Sequence, residues 1–260
     1  AIVAKVLTIP ENWNASQMPD LTGKRFLITG ATSGIGLAAA TELARRNANV
    51  VITARSAEKA RDAIKKIGPG LVDYILMDLT DLESVNRAAA RVDRAFDVVV
   101  LNAGVMATPF TKTVDNFELQ MGTNHLGHFA FAGLIKDQIK DRLVVVSSFA
   151  HKLGSFGDNS LNAIRNLCLG IGKYQKWPVY GASKLANLLF VAEVERLRIQ
   201  NNWQCLLDIC KFINKDVADS RAGFNCWHSR LINNHPNELC AATRNYQINF
   251  STSSEKRLNR

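Results

Sequence analysis

The stretch TGATSGIG, from Thr29 to Gly36, decides how the rest of the chain is interpreted. It follows the apolar run RFLIT at 25–29 and precedes a segment with helical periodicity. Gly30 permits a tight turn, Gly34 lets the backbone approach a pyrophosphate, and the last glycine lets the helix pack closely on a sheet. The helix N-terminus offers free N–H groups and partial positive charge to phosphates. The stretch therefore predicts a dinucleotide-phosphate site built from a strand, a turn and a helix.

The same alternation of strand and helix continues to about residue 200. Near-continuous apolar strands alternating with helices indicate a parallel sheet covered on both faces, so we predict a doubly wound α/β domain over 25–200, after a polar lead-in at 1–24. A Gly-rich connection at 149–178 is a candidate substrate lid. The predicted strands are Arg25–Thr29, Asn49–Thr53, Val72–Met77, Asp97–Leu101 and Arg142–Ser147, and the predicted helices are Ile35–Arg46, Ala57–Ile67, Leu82–Phe96 and Asn116 to about Lys140.

Composition narrows the class of protein. With 260 residues, 47% of them hydrophobic, the chain can build one sizeable core. Its net charge of +9 suits an anionic ligand, but the charges form no basic block and no nucleic-acid module is present, so nucleic acid is not expected as a partner. No apolar run approaches the roughly 20 residues of a transmembrane span, which leaves peripheral membrane association open.

The cysteines argue against a disulfide framework. There are five, an odd number, and four of them follow residue 200. This pattern favours a reducing compartment, and we expect a cytoplasmic protein. The Cys and His residues of the last sixty positions match none of the usual zinc spacings, so no metal site is predicted.

Further residues extend the predicted cofactor site along the strand ends. The second strand ends in VVITAR, where an acid often binds the ribose hydroxyls, and Arg55 stands there instead. A guanidinium can pair with a 2′-phosphate, which favours NADP(H) over NAD(H), although a solvated surface arginine is the alternative. Asp78 is a candidate for the adenine. The complete predicted cofactor set is Gly30, Thr32, Ser33, Gly34, Ile35, Gly36, Arg55, Asp78, Leu79, Asn102, Ala103, Gly104, Tyr180 and Lys184.

Five motifs in order resemble the short-chain dehydrogenase/reductase family. They are TGATSGIG, LNAG at 101–104, NHLGHF at 124–129, VVVSSFAH at 144–151 and YGASK at 180–184. NHLGHF, SSFAH and the long gap before YGASK are similar to the branch of retinol dehydrogenases and WW-domain oxidoreductases. The resemblance covers about residues 20–200 and implies a Rossmann-like NADP-binding catalytic domain. It also implies hydride transfer between nicotinamide and a carbonyl or alcohol.

The resemblance implies four catalytic residues: Asn124, Ser148, Tyr180 and Lys184. Tyr180 and Lys184 stand four residues apart and share a helix face, so they can address one ligand. A phenol near pKa 10 must become about three pH units more acidic to exchange protons readily at neutral pH, and an ammonium about 4 Å away supplies energy of that order. We therefore expect a lowered pKa for Tyr180, the acid/base. Ser148, with Ser147 as the alternative, would hydrogen-bond the substrate oxygen, and Asn124 would hold a water beyond Lys184.

Three histidines, His125, His128 and His151, lie within these motifs. A proton-transfer role is one interpretation. Packing or local hydrogen bonding is favoured, since histidine is commonly semi-buried and structural.

The pattern breaks after about residue 201. Fifteen of the sixteen glycines come earlier, and the Pro-Gly turn and Thr by which the family holds the nicotinamide carboxamide are missing. WQCLLDIC at 203–210 can still make a sixth strand. We expect 201–260 to be an atypical tail that leaves the sheet incomplete or aberrant, through truncation, alternative splicing or a frame shift.

Two functional hypotheses follow. The first is an NADP(H)-dependent oxidoreductase acting on a small apolar carbonyl or alcohol, with Leu153, Phe156 and Trp177 in the loop near the substrate. The second is a non-catalytic family member that retains cofactor binding or an interaction role. Family members often associate through the helix that carries Tyr180 and Lys184, which predicts a homodimer or homotetramer.

Overall fold

The computed structural model describes residues 15–68, 70–201 and 206–212. Within them, six parallel strands form one sheet in the order β3-β2-β1-β4-β5-β6, which confirms the predicted Rossmann-like α/β class. The strands are β1 Arg25–Ile28, β2 Asn49–Ala54, β3 Val72–Leu76, β4 Phe96–Leu101, β5 Ile139–Ser148 and β6 Leu206–Phe212.

Helices cover both faces of the sheet. Side chains alternate between the faces along each strand. On β1, Leu27 packs with Phe96 and Phe131 on one face, and Ile28 packs with Ile52 on the other. The α-helices are α1 Gly34–Arg45, α2 Ala57–Ile67, α3 Leu82–Ala90, α4 Leu119–Met121, α5 Gly127–Leu134, α6 Leu161–Leu169 and α7 Lys176–Asn201.

Two predicted helices differ from the structure. The helix predicted to reach Phe96 ends at Ala90, because Phe96 is fully buried as the first residue of β4. The helix predicted over 116–140 is broken into α4, a π-helical turn at Gly122–Leu126, α5 and a 3-10 turn at Lys136–Gln138. Periodicity does not report such breaks, since apolar residues continue on the buried face throughout.

The connection predicted at 149–178 is also more regular than expected. It contains a 3-10 turn at Phe149–Leu153 and helix α6, and α7 already begins at Lys176, so Trp177 and Pro178 lie in its first turn. Proline is tolerated there because the first N–H groups of a helix have no partner within it.

The sixth strand that the sequence allowed is present, with Leu206–Phe212 paired in parallel with β5. The remainder of the predicted atypical tail, 202–205 and 213–260, lies outside the described residues. No helix of the described ranges combines the length and the apolar character that a membrane span requires.

Candidate functional site

The site lies where the strand order reverses. β1 and β4 are neighbours in the sheet, yet the chain runs from β1 outward to β2 and β3 before it returns to β4. In open α/β sheets, ligands bind beyond the carboxyl ends of strands at this switch point. The glycine turn after β1 and Asn102-Ala103-Gly104 after β4 therefore meet at one edge of the sheet.

The glycines of the first turn have three different environments. A Cβ on Gly30, whose φ is +68°, would lie 2.7 Å from the Ala103 Cα, and a Cβ on Gly36 would lie 2.6 Å from the Gly30 carbonyl oxygen. Both positions require glycine because backbone segments approach closely. Gly34 has φ +56° and no atom within 4 Å of its Cβ position, so its outer side is open for a ligand.

The N-terminus of α1 opens onto the same space. In α2, α3 and α6 the N-cap side chain accepts a hydrogen bond from the first helical turn, whereas the N-cap Ser33 of α1 makes no such bond. The first N–H groups of α1 are therefore left to a different acceptor, which is the arrangement that suits a phosphate. Thr32, Ser33 and Ile35 lie at or beside this N-terminus.

The predicted adenine and ribose residues lie along the neighbouring strand ends. Arg55 is exposed immediately after β2, next to the N-cap residue of α2. Asp78 follows β3 and is half-buried, and its Oδ1 accepts hydrogen bonds from the amide and hydroxyl of Thr80 at 2.9 and 2.8 Å. Leu79 is buried and lies against Gly127 of α5.

Ser148 and Tyr180 lie in contact. Ser148 ends β5, and its side chain hydrogen-bonds the Tyr180 phenol from α7. Two glycines permit this approach, because a Cβ on Gly154 would lie 2.4 Å from the backbone carbon of Gly181, the residue after the tyrosine. Ser147, the alternative, turns away from the phenol and donates to the Lys184 carbonyl oxygen at 2.8 Å.

Lys184 lies behind the tyrosine and is almost fully buried. Its Nζ is 5.8 Å from the centroid of the Tyr180 ring and donates to the Val146 carbonyl oxygen at 3.2 Å. It also lies 3.4 Å from the Cβ position of Gly104, so the ammonium faces the end of β4. Burial lowers the pKa of Lys184 to about 8.

The expected acidic phenol is not found. Burial raises the pKa of Tyr180 above its ordinary value, and the hydrogen bond from Ser148 opposes this only in part. The prediction was wrong because it weighed the attraction of a nearby ammonium and ignored removal of the phenol from water. With this raised pKa the phenol is protonated at neutral pH, so its hydroxyl can donate a hydrogen bond.

Asn124 lies in the π-helical turn and is fully buried. Its amide group bonds the backbone of Val105 twice, accepting from N–H at 2.7 Å and donating to the carbonyl oxygen at 2.9 Å. It also donates to the Ser183 hydroxyl at 2.9 Å. The residue thus joins the segment after β4 to α7, and π-turns are frequent at functional sites.

The sequence missed several polar contacts of the site. The Thr29 hydroxyl accepts from the amides of Asn102 and Ala103 at 2.9 and 3.0 Å, and the Asn102 side chain donates to the Thr29 carbonyl oxygen at 2.8 Å. These bonds join the ends of β1 and β4. Asn187 of α7 donates to the carbonyl oxygen of Val146, the same acceptor that Lys184 uses.

All three histidines lie in structural surroundings, in agreement with the favoured interpretation. His125 bonds the Asn187 side chain at 3.1 Å and packs near Phe129, and burial lowers its pKa to about 4. His151 bonds the Ser148 carbonyl oxygen at 2.7 Å. His128 uses both ring nitrogens in hydrogen bonds.

Apolar side chains are exposed on the segments that flank the phenol. Trp177 is 42% exposed and meets the Tyr180 ring edge-on, with 6.2 Å between the centroids. Phe149 and Leu153, in the 3-10 turn that follows Ser148, are also exposed. Phe156, predicted beside the substrate, packs in a buried cluster with residues of α7 and so supports that helix.

These residues fit a bound dinucleotide. The glycine turn leaves open space beside an α-helix N-terminus without a side-chain cap, and Lys184 and Gly104 lie at the strand end that the molecule would cross. Within the described residues, no group of three or more His, Cys, Asp or Glu side chains is arranged to hold a metal. The Cys and His residues considered as zinc ligands lie in positions whose side chains are not described.

Comparisons with known proteins agree with this geometry. The sequence profile described as short chain dehydrogenase matches residues 24–160. Human retinol dehydrogenase 13 is 36% identical over 193 residues, which cover 70% of this chain and 56% of that protein. Mouse retinol dehydrogenase 14 is 38% identical over 195 residues, covering 67% of this chain and 56% of the relative. The chain thus spans just over half the length of these curated relatives.

Solved structures share the fold. The crystal structure of an uncharacterised protein from Mycobacterium Paratuberculosis is 40% identical, with a TM-score of 0.71 over 76% of this chain and 71% of that one. A short chain dehydrogenase/reductase family protein is 25% identical, with a TM-score of 0.55 and 74% of each chain covered.

Proposed function

The chain belongs to the short-chain dehydrogenase family, and from this premise we propose that it is an NADP(H)-dependent oxidoreductase that reduces an apolar aldehyde or ketone to the alcohol. One observation carries the proposal: a buried phenol at Tyr180 is bonded to Ser148 and backed by a buried ammonium, which itself lies next to Gly104 at the end of β4. The corresponding alcohol oxidation is the reverse of the same reaction. The bound nicotinamide supplies the hydride.

Tyr180 and Ser148 act together on the substrate oxygen. Both hydroxyls can hydrogen-bond a carbonyl oxygen placed between them, which polarises the carbonyl and fixes its orientation. As hydride adds to the carbonyl carbon, the Tyr180 hydroxyl gives its proton to the oxygen, and the product is an alcohol. The phenolate left behind must recover one proton before the next turnover.

Lys184 is placed to stabilise that phenolate. Its ammonium faces the Tyr180 ring, and a pKa of about 8 keeps it largely protonated at neutral pH. Its position next to Gly104 also lets it bind a ribose hydroxyl of a cofactor that crosses the end of β4. Asn124 holds the backbone after β4 against α7 and so keeps this distance constant.

Arg55 supports NADP(H) as the cofactor. The side chain is exposed immediately after β2, where its guanidinium could pair with a 2′-phosphate on the adenosine ribose. Arg55→Glu should raise the Kd for NADPH at least tenfold and leave the Kd for NADH unchanged or lower. The matched control is Arg61→Glu, because Arg61 is an exposed arginine of α2, and this variant should change neither Kd. Equal loss of affinity in the two variants would contradict the assignment.

The substrate is proposed to be apolar. Trp177, Phe149 and Leu153 expose large apolar side chains on the segments next to Tyr180 and Ser148, and such surface favours a hydrophobic ligand. The names of the curated relatives, retinol dehydrogenases, agree with a lipid-like substrate. Trp177→Ala should therefore raise the KM for long-chain aldehydes more than for short-chain ones.

The test is NADPH consumption, followed by its absorbance, with a panel of aliphatic and aromatic aldehydes and ketones. Tyr180→Phe should lower kcat by about 10²- to 10⁴-fold, since it removes the proton donor and keeps the ring. The matched control is Tyr74→Phe, because Tyr74 is a half-buried tyrosine on β3, and this variant should retain activity. Wild-type turnover in Tyr180→Phe would refute the mechanism. NADPH binding without any turnover would favour the second hypothesis, a non-catalytic cofactor-binding protein.

A further inference from the structure

His128 lies between the cofactor turn and the catalytic set. We propose that His128 is a positioning residue that joins the end of β1 to the turn carrying Asn124, and so holds the bound cofactor in register with Tyr180. The inference rests on the proposed function, because it concerns where hydride and proton are delivered. It assigns a role to a fully buried side chain that the motifs left unexplained.

The first contact is with Thr29, the residue immediately before the glycine turn. The Thr29 Oγ1 is 2.8 Å from the His128 Nε2. The same oxygen already accepts the backbone N–H groups of Asn102 and Ala103. Its own hydrogen is therefore available for the ring, so Thr29 donates and Nε2 accepts. The imidazole thus ends a set of bonds that fastens β1 to β4.

The second contact is with Asn124. The His128 Nδ1 is 3.1 Å from the Asn124 carbonyl oxygen, which can only accept. The Nδ1 nitrogen must therefore carry the proton, and the ring is the neutral Nδ1–H tautomer. Asn124 lies in the π-helical turn, where the normal helical bonding is shifted by one residue. The ring N–H stabilises the position of this carbonyl.

The path continues to the catalytic helix. The Asn124 amide donates to the Ser183 hydroxyl at 2.9 Å, and that hydroxyl donates to the Tyr180 carbonyl oxygen at 2.7 Å. Hydrogen bonds, linked through the backbone and side chain of Asn124, therefore connect Thr29 to the backbone of Tyr180. Every side chain in it is buried, so solvent does not compete for these bonds.

His128 holds geometry and does not carry the reaction's proton. Its burial lowers its pKa to about 3, and the nearby Lys184 ammonium and His125 oppose a charge on it further. The ring is 1% exposed and Thr29 is fully buried, so the bonds beyond His128 lead to backbone amides and not to solvent.

Two conservative variants separate the two contacts. The amide of a glutamine can reach the position of Nε2, so His128→Gln keeps the partner of Thr29 and loses the donor to Asn124. The amide of an asparagine reaches only the position of Nδ1, so His128→Asn has the opposite effect. We expect His128→Asn to raise the Kd for NADPH about tenfold, and His128→Gln to lower kcat at saturating NADPH about tenfold with Kd nearly unchanged. His128→Leu should show both losses.

The matched control is His125→Asn. This residue is another histidine of the same helical segment, and its ring bonds Asn187. It should lower the melting temperature of the full chain without changing the Kd for NADPH or kcat. A third readout needs no cofactor: imidazole ¹⁵N spectra of the full chain should show an Nδ1–H tautomer that does not titrate near neutral pH and disappears in His128→Asn.

Three results would overturn the proposal. They are wild-type Kd and kcat in His128→Leu, equal losses of Kd and kcat in all three variants, and an Nε2–H tautomer at His128. If the proposed function fails, the wild-type chain will bind NADPH but reduce no carbonyl. The positioning role is then still tested by the Kd for NADPH, which should be higher in His128→Asn than in His128→Gln and would contradict the role if it were equal in both.

Discussion

Replacing Lys184 by methionine should stabilise the fold while it destroys the activity. The side chain is 4% exposed, and burial alone accounts for its lowered pKa. Among the described residues, no carboxylate forms an ion pair with it. A buried ammonium without a counter-charge is expensive, and enzymes retain such groups where they act on a ligand.

The size of the effect follows from the pKa. A decrease from 10.5 to about 8 corresponds to about 3 kcal/mol of unfavourable free energy for the charged form in the folded state. Methionine removes this term and fills a similar volume. It also removes the bond to the Val146 carbonyl oxygen, worth about 1 kcal/mol, but that oxygen keeps its bond from Asn187 at 3.1 Å. We expect Lys184→Met to raise the free energy of unfolding by about 2 kcal/mol at neutral pH.

The stability that Lys184→Met gains over the wild type should decrease as the pH rises. Below about pH 8 the lysine is charged in both states, and the folded state bears the full desolvation cost. Between about pH 8 and 10.5 the folded state releases its proton first, so the unfolded state binds more protons and the stability of the wild type rises with pH. The variant has no such group. The difference between the two proteins should therefore be largest near neutrality and shrink to less than about 1 kcal/mol near pH 10.

Urea unfolding followed by circular dichroism, at neutral pH and near pH 10, measures this difference. Lys176→Met is the matched control, because Lys176 is exposed at the start of the same helix, and it should leave the free energy of unfolding unchanged at both pH values. A variant less stable than the wild type at neutral pH, or a difference independent of pH, would refute the burial of an uncompensated charge.

Other substitutions and a pH profile test the remaining geometry. Gly181→Ala places a Cβ 2.5 Å from the Ala150 carbonyl oxygen. It should therefore lower kcat at least tenfold and destabilise the fold by about 1–3 kcal/mol. The control is Gly133→Ala, whose Cβ meets no atom within 4 Å and which should leave the melting temperature unchanged or raise it. Gly30→Ala should abolish NADPH binding, measured by fluorescence titration, because its Cβ meets Ala103 at positive φ. The kcat/KM for carbonyl reduction should decline above about pH 8, as the ammonium of Lys184 loses its proton in the free enzyme, and a profile that is flat to pH 10 would contradict that role.

The glycine turn and the sheet could be predicted because their information is local. The left-handed backbone at Gly30 and Gly34 and the alternation of apolar strands with helices are each marked within short segments of the chain. The predicted strands agree with the structure to within a few residues, and α2 agrees at both ends. The four catalytic candidates also came from motifs along the chain, and the structure brings Ser148, Tyr180, Lys184 and Asn124 to one edge of the sheet.

Other features depend on residues far apart in the chain. The breaks in the helix predicted over 116–140 leave the apolar pattern intact, so no signal marks them. The direction of the pKa change at Tyr180 was wrong from the sequence, because the tertiary structure removes the phenol from water and the hydrogen bond with Ser148 opposes this effect only in part. The contact of His128 with Thr29 spans 99 positions, and a histidine between apolar residues does not indicate which partners it will meet.

The order of residues along the chain determined the class of fold and the family, because turn geometry and strand pattern are properties of short segments. Tertiary structure alone decided which partners His128 meets, which serine faces the phenol and how far Lys184 is removed from water. These outcomes depend on solvent exclusion and on distances between segments, and both arise only when the helices close over the sheet.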